Sequence, residues 1–294
     1  MRNRITKAVI PVAGFGTRLL PVTKTQPKEM LPLVDRPAVQ YVVEEAVTSG
    51  IESILFVTGR GKRAIEDYFD YAVELENELQ NKGRERLLEE VRRIVEAVDI
   101  FYVRQKRPRG LGDAVLRAQR FVGKESFAVL LADDIVLSPV PCLAQMLEFY
   151  AQEPAIYLAA MPVPREEVSQ WGIIKGKEVA PSLYLVEDLV EKPAVEEAPS
   201  NLAIVGRYLL SPSIFEAISK VSPGKGGEIQ LTDALKSLLS RERIYAYCFS
   251  GKHFGVGDKI SYLKANIAFA LRREEFAVPL REFLQELLEE GGKP

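Results

Sequence analysis

Apolar positions along the 294-residue chain follow two alternating rhythms. Short unbroken apolar runs at Lys7–Ala13, Ser53–Thr58, Ile100–Val103, Phe127–Ala132 and Ile156–Val163 predict strands, the first and the fourth of them buried on both faces. Between them the spacing turns helical. Val39, Val42, Val43, Ala46 and Val47 predict a helix that starts near Pro37 and is ended by Gly50. Gly112–Phe121 and Leu143–Tyr150 predict two more. Strand, loop, helix, strand is the unit of a parallel sheet with helices on both faces.

Two stretches break that rhythm. From Glu74 to Glu96 the chain is highly charged, with Leu75, Leu79, Leu87, Leu88, Val91, Ile94 and Val95 at helical spacing. Two amphipathic helices broken at Gly83 are expected there, as an arm outside the main sheet. Beyond Pro164, Gly172–Lys175, Leu183–Val190 and Leu202–Leu210 read as strands of a meander, followed by helices at Ile214–Ser219 and Leu231–Leu239 and a late strand at Tyr245–Phe249. Lys259–Leu288 reads as helix, interrupted near Pro279. No repeat or long linker divides the chain. The expectation is one α/β unit: a nucleotide part over about 1–150, a sugar part over about 151–257 and C-terminal helices over about 258–294.

Composition narrows the chemistry. Lys and Arg number 39 and Asp and Glu 41, a net charge of -2, which argues against a chain built to coat nucleic acid or an anionic membrane. Two distant cysteines, Cys142 and Cys248, make neither a zinc site nor a disulfide framework. No run approaches the ~18 apolar residues of a membrane helix, and the apolar stretch after the basic N-terminus is too short for a secretory signal. A cytoplasmic enzyme is therefore expected. The single histidine, His253, has no nucleophile beside it, so triad chemistry and multi-histidine metal sites are excluded. Phosphoryl or nucleotidyl transfer, which runs on positioning and charge neutralisation, fits what remains.

The candidate site begins after the first strand, at Ala13-Gly14-Phe15-Gly16-Thr17-Arg18. A glycine turn there exposes backbone N–H groups to an anion. It is neither a Walker A loop nor a complete dinucleotide fingerprint. Arg18, Lys24 and Lys28 follow, the last in Pro27-Lys28-Glu29-Met30-Leu31-Pro32, and fixed cations beside such a nest suit a triphosphate and its pyrophosphate leaving group.

These segments resemble the sugar-nucleotide pyrophosphorylases, and within them the uridylyltransferases that act on glucose 1-phosphate. The likeness continues through Gln40–Ala46, Val57–Glu66, Val103–Lys106, Gly110–Gly112, Val190–Pro193, Asn201–Arg207 and Gly227–Asp233. The resemblance implies a Rossmann-like, mostly parallel mixed sheet, and a reaction that converts UTP and glucose 1-phosphate to UDP-glucose and pyrophosphate with Mg²⁺. It implies that the Ala13 and Gly14 backbone, the Gln105 side chain and Gly110 hold uracil, with Gly16, Thr17 and Glu29 also at the nucleotide. It places Arg18, Lys28 and Lys192 at the phosphates, Asp133 at the metal, and Gly172, Glu191 and the Val205-Gly206 backbone at the glucosyl group. A homodimer or homotetramer is expected, supported by the apolar stripe Val278, Leu280, Phe283, Leu284, Leu287 and Leu288.

Four positions depart from the family pattern. Gly255 stands where an aspartate is usual, and in related thymidylyltransferases that aspartate is the second metal ligand. His253, Trp171 and Asp113 replace the usual arginine-like residue, tyrosine and histidine. Two alternatives therefore stay open at this point: a thymidylyltransferase with the same chemistry, and a sugar-nucleotide-binding regulator that has lost activity.

Overall fold

The computed structural model describes residues 4–224 and 227–291. Its first strand, β1 (Lys7–Pro11), alternates by the period of two: Ala8 and Ile10 face one core layer and Val9 the other. A hairpin of β2 (Pro32–Leu33) and β3 (Arg36–Pro37) precedes α1 (Ala38–Thr48) and β4 (Ser53–Thr58). Helices α2 (Arg63–Tyr68), α3 (Val73–Asn81) and α4 (Glu85–Glu96) lead to β5 (Asp99–Arg104). The next stretch holds α5 (Leu111–Arg117), α6 (Gln119–Val122), β6 (Phe127–Leu130), β7 (Asp134–Leu137), α7 (Cys142–Gln152) and β8 (Ile156–Pro162). Then come β9 (Gly172–Ala180), β10 (Leu183–Glu191), β11 (Leu202–Leu210), α8 (Ser213–Lys220) and α9 (Leu231–Leu238). The chain closes with β12 (Ile244–Cys248), β13 (Lys252–Gly255), α10 (Lys259–Ala270) and α11 (Glu274–Gly291).

One nine-stranded mixed sheet organises these elements in the order β5-β4-β1-β6-β11-β8-β12-β10-β9. β5, β4, β1 and β6 run parallel, and β11 runs against both β6 and β8. Helix α1, α7 and α10 supply apolar side chains to one face, and α5, α8 and α9 to the other. The expected sheet with helices on both faces is the one observed. The arm is also as expected, with α3 and α4 meeting at Gly83 in the left-handed conformation (φ 63°) that a glycine adopts without penalty. Ion pairs from Arg36 and Glu44 to Glu90 and Arg93 hold the arm to α1 and its hairpin.

Two boundaries differ. The expected helix over Gly112–Phe121 is two short helices that meet at Ala118. The C-terminal break falls at Leu271–Arg273, and Pro279 lies inside α11. The turn is set by tertiary contacts: Arg273 forms a bidentate ion pair with Asp35 in the β2–β3 hairpin, while Pro279 gives up only one backbone hydrogen bond of the second helical turn. Among the described residues no helix is long and apolar enough to cross a membrane.

Candidate active site

The carboxyl ends of β1, β4, β5 and β6 lie side by side, the edge where open α/β sheets gather their ligands. The glycine loop after β1 turns sharply there. Gly16 is left-handed (φ 65°), and a Cβ on it would come within 3.2 Å of both Lys28 and Thr23. The loop is stitched by a 2.8 Å hydrogen bond from the Thr23 hydroxyl to the Gly16 carbonyl. A Cβ on Gly14 would be 4.0 Å from the Lys28 side chain, so the glycines lie over the lysine. Thr17 and Arg18, in the short turn that follows, are exposed.

Lys28 forms an ion pair and hydrogen bond with Asp133, which follows β6. Burial alone would raise the Asp133 carboxyl, but the Lys28 ammonium, its hydrogen bond and Arg18 outweigh it and hold the group below its ordinary range. Burial likewise disfavours the Lys28 ammonium, and Asp133 and Glu29 reverse the balance and raise it. The backbone after β13 passes directly over this pair. Val256 N–H donates to the Asp133 carbonyl at 2.8 Å, and a Cβ on Gly257 would stand 2.8 Å from Arg18 Nη2 and 3.2 Å from Asp133 Oδ2. A side chain at Gly257 would thus press on Arg18 and Asp133 together. A Cβ on Gly255 would meet nothing nearer than His253 Cε1 at 3.8 Å, so the place of the absent aspartate is open.

A cleft of about 900 Å³ starts at Arg18, Asp133 and Asp134 and reaches Glu191, Lys192 and Thr232. Gly172, Gly206, Trp171 and His253 also line it. Glu191 Oε2 accepts from the Thr232 hydroxyl at 2.7 Å, and Lys192 Nζ lies 3.3 Å from the other oxygen. Lys192 is left-handed (φ 46°), a conformation costly for a residue with a Cβ, and its N–H donates to the Trp171 carbonyl at 2.9 Å. A Cβ on Gly172 would crowd Glu191 Oε2 at 3.1 Å. Gly206 sits at an irregularity of β11, where a Cβ would fall 2.3 Å from Asp134 Oδ2. Val205 beside it is fully buried, backbone included, and is not among the residues that line the cleft.

The residues expected at the base gather near one another at the ends of β1, β4 and β5. Gln105 follows β5 and its N–H donates to the Thr58 carbonyl at the end of β4. A Cβ on Gly59 would lie 3.1 Å from the Ala13 carbonyl, which brings the two loops into contact. Gly110 (φ 91°) is closed in by Glu228 and the Ile229 backbone, and Gly112 N–H donates to the Ile229 carbonyl at 2.9 Å. This clasp fixes the end of the cleft next to Leu111.

The structure turns Glu29 inward, away from the cleft lining. Its carboxylate accepts from Lys62 Nζ at 2.7 Å, with both side chains buried. Burial pushes the Glu29 carboxyl up despite Lys62 and Lys28. Glu29 thus braces the turn that presents Lys28. Sequence reasoning overlooked Lys62, and it overlooked a deeper pair. Arg207, with no exposed surface, donates Nε and Nη2 to Glu45 of α1 at 3.0 and 2.8 Å. Its Nη1 donates to the carbonyls of Leu131 and Gly206 at 3.2 and 3.1 Å, just behind the aspartates. The signal for it was present in the sequence: an arginine inside the apolar run Leu202–Leu210 demands a buried partner.

A glycine loop beside paired cations and a carboxylate at the ends of parallel strands suits a nucleotidyl transferase, and the chain belongs to that family: the nucleotidyl transferase family model matches residues 7–271. Its relatives narrow the class. The chain is 48% identical over 293 residues to the UTP–glucose-1-phosphate uridylyltransferase YngB of Bacillus subtilis, covering 100% of this chain and 99% of the relative. A UTP-bound UGPase from Acinetobacter baumannii superposes with a TM-score of 0.89 at 41% identity, over 97% of this chain and 100% of that one. A UDP-glucose pyrophosphorylase complexed with UDP-glucose superposes with a TM-score of 0.84 at 46% identity, over 92% of this chain and 100% of that one.

Proposed function

We propose that the protein transfers the uridylyl group of UTP to glucose 1-phosphate, giving UDP-glucose and pyrophosphate. The observation that carries the reading is that Arg18, Asp133, Glu191 and Lys192 line one cleft. Nucleotide and sugar phosphates placed in it meet head to head. The sugar phosphate oxygen is ionised at neutral pH, so in-line attack on the α-phosphorus needs no general base and no histidine. Positioning and charge stabilisation remain, and both reside in this cleft. Arg18, Lys28 and Lys192 are assigned to the phosphates. Glu191, held by Thr232, keeps acceptor oxygens for sugar hydroxyls, and Gly172 and Gly206 leave room for the Glu191 and Asp134 carboxylates that a Cβ would displace.

We assign Asp133 as the protein ligand of Mg²⁺. A hard cation suits a carboxylate with phosphate oxygens and water completing the shell, and the space at Gly255 leaves room for them. Bound there, Mg²⁺ would supply neutralisation of the triphosphate charge. Lys28, now paired with Asp133, would then turn to the phosphates. The protein is placed in the cytoplasm, where free cysteines such as Cys142 and Cys248 persist. Self-association through the C-terminal helices is part of the proposal. No residue of α11 from Glu274 to Glu290 is buried, and Val278, Phe283, Leu287 and Leu288 join Ile260 and Leu263 of α10 as exposed apolar side chains. A solution mass above the 32.9 kDa of one chain is expected.

The test is turnover with UTP and with dTTP, each with a panel of sugar 1-phosphates. UTP with glucose 1-phosphate should give the highest kcat/KM. Preference for dTTP would make the protein a thymidylyltransferase. Binding of UDP-glucose without any turnover would make it the inactive regulator.

A further inference from the structure

Gln105 is held on one side only. Its Nε2 donates to Asp113 Oδ2 at 2.7 Å and to the Gly110 carbonyl at 3.2 Å. Both partners are acceptors alone, so both amide protons are spent on the protein. Rotating the amide by half a turn would set Oε1 against a carboxylate and a carbonyl, with no proton between them. A buried clash of that kind is among the more costly defects in polar packing. Asp113 cannot turn away, because Arg117 Nη2 donates to its other oxygen at 2.7 Å and Arg117 Nε to its carbonyl at 3.3 Å. Gln105 and Asp113 are both buried, and Oε1 of Gln105 accepts from no described residue and is not a buried orphan.

We propose that Asp113 is a positioning residue that locks the Gln105 amide with its oxygen toward the base, and so makes the site select bases with an N–H at ring position 3. Uracil and thymine carry that donor. Cytosine carries a lone pair there and is refused. This rests on the reading that Gln105 meets the base. A glutamine free to rotate could donate or accept, and would serve either kind of base. The selectivity thus lies in the Asp113–Gln105 pair and not in the glutamine alone.

Asp113→Asn makes the sharpest test. Arg117 would hold the new carbonyl oxygen, leaving the Asn amide as a donor toward Gln105, so that only the Gly110 carbonyl still favours the original orientation and the amide can present its N–H₂ to the base. The ratio of kcat/KM for UTP over CTP, measured with glucose 1-phosphate, should fall at least tenfold, through a loss with UTP and a gain with CTP. Thermal unfolding checks the fold, and Asp113→Ser, whose hydroxyl leaves Gln105 free to take either orientation, serves if the first variant does not fold. A merely structural residue would lower both substrates together and leave the ratio unchanged, which overturns the proposal. Gln105→Ala separates the two levels. If it leaves the ratio unchanged, Gln105 does not meet the base and the underlying reading fails. If it alters the ratio while both Asp113 variants keep it, only the assignment to Asp113 fails.

Discussion

Two carboxylate–cation pairs, Lys28–Asp133 and Arg207–Glu45, stand back to back across the loop after β6, and they are built for opposite ends. In Arg207 and Glu45 every side-chain nitrogen and oxygen has a partner. The guanidinium makes two bonds to the carboxylate and two to carbonyls, and Glu45 Oε1 also accepts from Leu143 N–H at 3.0 Å. Five hydrogen bonds tie α1, α7, β11 and the 131–134 loop into one block. Asp133 has the single side-chain partner Lys28, and its other oxygen has no side-chain partner among the described residues. A saturated pair can only support. An unsaturated one beside a cleft can exchange its partner for a phosphate or a metal ion.

The comparison breaks most severely if the support is removed. Glu45→Ala leaves the Arg207 charge buried and uncompensated, which should cost about 3–5 kcal/mol of folding stability. Denaturant unfolding measures it, and a loss below about 1 kcal/mol would show that the pair is not the support argued here. Replacing both partners by apolar residues of similar volume should recover most of that stability, since the desolvation of two charges disappears with them.

Asp133→Asn should do the reverse. The amide keeps the shape and an acceptor for Lys28, so the fold is retained, while turnover falls by roughly a hundredfold or more. The two effects also separate by pH. Asp133 releases its proton more readily folded than unfolded, so the stability from its pair is fully present above the unfolded value near ~3.9 and is lost as pH falls below it. The acid limb of the stability curve should therefore be shallower in Asp133→Asn. An identical limb, or full turnover, would falsify the exchangeable role.

Lys192→Ala should lower turnover by tens-fold or more with little change in unfolding, because the side chain is 55% exposed and among the described residues pairs only with Glu191. Unchanged kcat and KM would leave Lys192 a surface lysine. Smallest of all, Gly255→Asp should lower the Mg²⁺ concentration needed for half-maximal rate, since the added carboxylate meets open space beside the cleft. An unchanged or higher half-maximal Mg²⁺ concentration, or inhibition, would mean that the open side is already used by substrate.

Much of the fold was legible because its signals are local. Ser53–Thr58 and Leu202–Leu210 are strands over the residues their apolar runs mark, and the arm breaks at the glycine that sequence marks. The C-terminal turn was misplaced because proline is a local signal and the Asp35–Arg273 pair is not. Strands β7 and β13 were missed for the same reason. Each has four residues, and they become strands only by pairing with each other across more than a hundred residues of chain, Asp134 opposite Gly255.

The site divides along the same line. The sequence by itself carried the family, through ordered motifs that are written locally, and it offered the glycine loop with Arg18 and Lys28 as a candidate phosphate site and, through the family resemblance, Asp133, Glu191 and Lys192 as further candidates. Only the tertiary structure decided what each of them does to its neighbours. It turned Glu29 onto Lys62, spent the amide protons of Gln105 on Asp113 and Gly110, closed Gly257 over Asp133, and placed Arg207 behind the loop with Glu45. Each of these unites residues far apart in the chain or depends on which atom of a side chain points where, and neither the spacing of residue types nor their hydropathy encodes an orientation.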